Sequence, residues 1–118
     1  MALRLPRGLA GSADAMGGVD PLQYEIMQEK VAVLARMGRG VQNALERLET
    51  FDAAARAGSP ADAEERDALV GAAGEALWYF VVQREVLGLR DVDVVMRELR
   101  VPREVRLRMG LNRRPSTP

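Results

Sequence analysis

The chain contains neither cysteine nor histidine among its 118 residues. Without thiols it has no disulfide, no thiolate nucleophile and no sulfur-ligated zinc. Without imidazole it lacks the commonest general base and the commonest metal ligand. Aromatic residues make up 4% of the chain, with a single Trp, and Ile26 is the one isoleucine. Ala, Leu, Val, Arg and Glu dominate instead, which favours an all-helical fold. No apolar run approaches the roughly 20 residues that a membrane span needs. The start, Met1-Ala-Leu-Arg-Leu-Pro-Arg-Gly8, is basic but lacks the continuous apolar stretch of a signal peptide. Neither a phosphate-binding Gly-x-x-x-x-Gly-Lys loop nor a nucleophile elbow occurs. These features set the expectation of a cytoplasmic, non-enzymatic protein with no catalytic residue, metal or cofactor.

What is present is ordinary for one globular domain: 47% hydrophobic and 29% charged residues. The net charge is zero but unevenly spread. From Arg90 onward eight Arg face four acids, a balance of +4, so the first 89 residues carry −4.

The spacing of apolar residues predicts two long antiparallel helices followed by two short ones, all within residues 19–110. Met1–Gly18, with four Gly and no periodicity, and residues 111–118 read as disordered tails. Asp20 and Pro21 suit an N-cap and a first helical position. Leu22, Ile26, Val33, Leu34, Met37, Val41, Leu45, Leu48 and Phe51 then mark an amphipathic helix to about Ala57. Ser59 and Pro60 are expected to open the second helix, with Asp62 as a capping-box acid, and Gly88 to end it after Leu87. Its main stripe is Leu69, Val70, Ala73, Ala76, Leu77, Phe80 and Leu87. Asp91 is expected to cap a helix over Val92–Leu99, and Pro102 to open a last one over Arg103–Met109, stopped by Gly110.

In the second helix, Trp78-Tyr79-Phe80-Val81-Val82 is apolar on every side, because successive helical residues point about 100° apart. With a hinge near Gly58 and Ser59, facing residues have numbers adding to about 118. That sets Gly38 opposite Phe80 and Gly40 opposite Trp78, small residues admitting large rings, and makes Gly40→Leu an expected strong destabiliser. Gly71, Gly74, Trp78 and Val82 line the other side, where the expected neighbour is a helix of a second copy. Arg84 shares the Phe80 stripe and is expected to be a partly buried ion-pairing group, with anion binding as the rival role. The carboxylate pairs Glu25/Glu29 and Glu46/Glu49 fall off the apolar stripes and lack the His that four-helix di-metal sites use. The C-terminal helix pair offers Arg103, Arg106 and Arg108 to nucleic acid, but Arg100 stands where a helix-turn-helix usually has Gly.

Glu75-Ala-Leu-Trp-Tyr-Phe-Val-Val-Gln-Arg-Glu85, Gly88-Leu-Arg-Asp91, Pro102-Arg-Glu-Val105 and Arg108-Met-Gly110 together resemble a family of small bacterial proteins of unknown function. The resemblance runs from about Pro21 to Gly110, implies a compact helical protein, and carries over no site residue. The combined expectation is a helical hairpin completed by dimerisation and acting through self-association or a protein partner. Two alternatives stand beside it: a DNA-binding accessory protein, and a small-ligand regulator with a pocket near Trp78 and Arg84.

Overall fold

Among the residues described by the computed structural model, 20–110, four helices and no strand occur. They are α1 (Pro21–Arg56), α2 (Ala63–Val86), α3 (Val92–Glu98) and α4 (Arg103–Arg108). The expected tails at residues 1–18 and 111–118 lie outside the described residues. Internal contacts divide the chain between Val33 and Leu34 into two units, and α1 runs through that division.

The caps explain most helix boundaries. The Asp20 carboxylate accepts the Leu22 N–H at 3.2 Å and opens α1 ahead of Pro21. Three stops share one arrangement. Gly58, Gly88 and Arg100 adopt left-handed φ of 102°, 87° and 53°. In each case the following N–H reaches back to the carbonyl five residues earlier, as in Leu89 to Arg84 at 2.9 Å. Arg100 is the one non-glycine in this position, where a Cβ costs roughly 1 kcal/mol or more.

One boundary differs from the sequence expectation. Ser59 and Pro60 are not helical, and α2 begins at Ala63 with Asp62 as its N-cap, accepting the Glu64 N–H at 3.0 Å. The Ser59 N–H closes the stop of α1 by donating to Ala54 at 3.0 Å, so the chain needs Pro60 and Ala61 to turn before a new helix can start. The late start still places Glu64 and Glu65 in the first turn, where the helix dipole favours acids.

In residues 34–110 the core draws on every helix. Val41, Ala44 and Leu48 come from α1, Val70, Ala73 and Leu77 from α2, Val95 and Met96 from α3, and Val105 from α4. Leu77, Val41 and Val105 are fully buried. No charged or polar side chain is buried among the described residues. The antiparallel register of α1 and α2 is fixed by two pairs, Gly38 with Phe80 and Asp52 with Arg66, whose numbers each add to the expected 118.

Gly40 departs from expectation. It is exposed, and a Cβ built on it meets nothing within 4 Å. The 3.6-residue period explains why: two residues on from Gly38, the helix has turned about 200° away from α2. Gly40→Leu is therefore no strong destabiliser. Gly40→Ala should stabilise the protein by about 1 kcal/mol, the helix-propensity difference, in urea unfolding. A loss of stability in that variant would mean that the glycine is needed for a bend or a contact.

Candidate functional site

Five of the nine large apolar side chains that stand exposed among the described residues occur between positions 22 and 31 of α1. Leu22 is 59% exposed, Tyr24 49%, Ile26 42%, Met27 53% and Val31 54%. Every residue from 20 to 32 is exposed. Pro21 and the Asp20 cap start the helix here, and the Gln28 amide donates to the Tyr24 hydroxyl at 3.2 Å along the same face. Exposed apolar residues scattered singly are ordinary; here five large ones fall on one helical segment.

The residues singled out around Trp78 are placed differently. Gly71 and Gly74 are buried. A Cβ on Gly74 would lie 3.0 Å from the Arg108 Cβ and 3.1 Å from its carbonyl carbon and oxygen. The helix that Gly74 admits is thus α4 of the same chain, in the place expected for a second copy. Trp78 packs on Gly110, whose φ is 87°, with a Cβ there only 3.3 Å from the indole ring. Val82 is half-buried. Phe80 does face Gly38, at 3.3 Å from its Cβ position, as the register required. The Arg84 guanidinium stands 5.9 Å from the Phe80 ring centre, a cation–π contact in place of the expected ion pair.

The arginines proposed for nucleic acid are largely engaged. Arg106 pairs with Asp93 at 3.2 Å and Arg108 with Asp67 at 2.9 Å, while Arg103 is exposed. These pairs tie α4 to α3 and to α2.

The most elaborate polar cluster was not legible in the sequence. Arg66 of α2 holds both oxygens of Asp52 on α1, at 2.8 and 3.0 Å, and both oxygens of Glu104 on α4, at 3.1 and 2.6 Å. One guanidinium thereby joins three helices in a fork geometry that Lys cannot supply. Beside it an open groove of about 700 Å³ has Leu45, Leu48 and Leu99 in its lining, with Glu46, Glu49 and Glu98 around them. No group of three or more acids able to hold a metal ion occurs among the described residues. No described helix is long and apolar enough to cross a membrane.

The hydrogen bonds from Arg66 hold the Asp52 and Glu104 carboxyls below the usual carboxylate range, and those acids raise the Arg66 pKa further. A carboxylate with a depressed folded pKa adds stability above its unfolded pKa, and that contribution is lost as pH falls through the folded value. Arg66→Gln should therefore melt below the native protein at neutral pH. The gap should close as pH drops below about 4, the unfolded carboxyl range. A gap independent of pH between 7 and 3 would mean that the ion pairs contribute nothing. All three groups are partly solvated, so the effect is modest.

A family model described as a family of unknown function, DUF6665, matches residues 1–116. The match takes in both terminal segments, which the sequence resemblance had left out. No curated protein and no solved structure matches the chain.

Proposed function

Since the chain belongs to DUF6665, a family of unknown function that brings no activity with it, we propose from the geometry that it works by self-association, as a homodimer, rather than by catalysis. The observation that carries this reading is the exposure of Leu22, Tyr24, Ile26, Met27 and Val31 within three turns of one helix. Helices in proteins gain most of their stability from packing apolar side chains, and this segment leaves five large ones in water. A protein partner of another kind would use the same surface. The reading includes a bacterial cytoplasmic setting, which cell fractionation of a host would check. Light scattering on the purified chain at micromolar concentration should give twice the 12.9 kDa chain mass. A monodisperse monomer would overturn the reading.

A further inference from the structure

Two concavities in the unit that starts at Leu34 carry opposite charge. The groove of about 700 Å³ beside Arg66 is lined by five carboxylates and one basic residue, Arg100. Arg66 and Arg56 answer Asp52, Glu104 and Glu49, but Glu46 and Glu98 make no ion pair among the described residues. Both are exposed, and each adjoins a half-buried leucine of the groove, Leu45 or Leu99. The second concavity, of about 630 Å³, is lined by Met96, Val101, Arg103, Arg106, Leu107 and Met109, with no acid among them. Arg103 makes no ion pair among the described residues. The Arg106–Asp93 pair, at 3.2 Å, joins two exposed side chains that exchange partners at little cost. Arg103, Arg106 and Leu107, three and four positions apart, share one face of α4. That face lies opposite the buried Val105, and Leu107 on it is 59% exposed.

We propose that the acidic groove seats the Arg103, Arg106 and Leu107 face of a second copy, head to tail. Leu107 supplies the apolar anchor for the Leu45, Leu48 and Leu99 floor, while Arg103 and Arg106 bring cations to Glu46 and Glu98. Charges left unanswered within one chain are thereby answered between two. The groove and the face share no residue, so one copy offers both at once. A contact between unlike surfaces propagates, into a ring where the rotation closes and a filament where it does not. It goes beyond the two-fold association proposed above and uses none of residues 22–31. Its charges are few and exposed, so it forms above the micromolar range and weakens with salt.

Light scattering of the full chain at rising concentration tests this. In about 0.01 M salt, where charges act over roughly 30 Å, the mass should climb past that of a dimer. In about 1 M salt, which screens them within roughly 3 Å, the mass should fall back to the dimer. A mass that never exceeds the dimer would overturn the head-to-tail contact and leave the homodimer standing. Growth that falls back to one chain would remove the homodimer alone, and a monomer throughout would remove both. Two double variants, Glu46→Gln with Glu98→Gln and Arg103→Gln with Arg106→Gln, alter exposed residues, so thermal melts should show the fold retained. Neither alone should grow past the dimer. Mixed in equal amounts they should grow again, because one keeps the face and the other the groove. No regrowth on mixing would refute the pairing. Glu64→Gln with Glu85→Gln makes the same change of charge outside both concavities and should grow like the native chain. Equal loss there would show that overall charge, not the groove, is responsible. Leu107→Ser keeps every charge and should also abolish growth. Undiminished growth in that variant would sink the seating of α4 in the groove.

Discussion

Leucine in place of Gly74 is expected to destabilise the fold by about 3 kcal/mol, the upper end for overpacking a well-filled core. Gly74 is buried in the interior of α2, and even one added carbon would sit 3.0–3.1 Å from the Cβ, carbonyl carbon and carbonyl oxygen of Arg108. Two of those atoms are backbone, so no side-chain rotation relieves the overlap. α4 must move as a body, and it carries the fully buried Val105 with it. The Arg108–Asp67 pair would be lost too, but the Asp67 side chain is 71% exposed and the pair is worth little. Gly74→Ala should cost less, since about 1 kcal/mol of helix propensity offsets its smaller overlap. Denaturant unfolding of both variants checks the ordering. A Gly74→Leu midpoint indistinguishable from that of the native chain would show that α4 is not seated as described.

Leu77→Ala is expected to cost about 3 kcal/mol, within the 2–5 range for such truncations. Leu77 has no exposed surface and belongs to a core to which all four helices contribute. Two components add: the transfer free energy of the lost methyl and methylene groups, and the cavity that rigid neighbours fail to refill. Against a total stability of about 5–15 kcal/mol for a domain, that is a large share. Val86→Ala, at a position 67% exposed on the same helix, is the natural comparison and should change little. If both variants unfold at similar denaturant concentrations, the burial of Leu77 is not what it looks to be.

Local chemistry made much of the fold readable. Asp20, Gly88 and Asp91 act within a few residues, and each ends or begins a helix where expected, whereas the last helix already ends at Arg108, ahead of the expected Met109 and Gly110. The hairpin register followed from counting back from one hinge, which is why Gly38 and Phe80 met as anticipated. Ser59 belongs instead to the preceding stop, where its N–H donates to Ala54, and Asp62 takes the cap three residues later, a division of roles that residue preference does not register. Gly40 differs because its number in the hairpin count gives its level along the helix but not the side it faces. Gly74 did signal close packing, yet its neighbour is a six-residue helix of the same chain rather than a helix of a second copy. The Arg66 cluster lay beyond reach, since Glu104 is 38 positions away and nothing local marks the pair. For the candidate surface, Leu22 and Ile26 were read as part of the core stripe. Their periodicity is real, but spacing alone does not say where the opposing helix runs out.

Val105 has a consequence for how the chain is made. Translation delivers the long hairpin first, but Leu77 and Val41 share their core with a residue synthesised after it. The ties that hold this last helix, Arg66–Glu104 and Arg108–Asp67, bridge 38 and 41 positions, against 14 for Asp52–Arg66. A nascent chain can zip the hairpin early, since its contacts are comparatively local, yet it must keep an apolar groove open until Val105 follows from the ribosome. A chain stalled before Pro102 should therefore bind holding chaperones that a chain with Arg103–Arg108 in place does not.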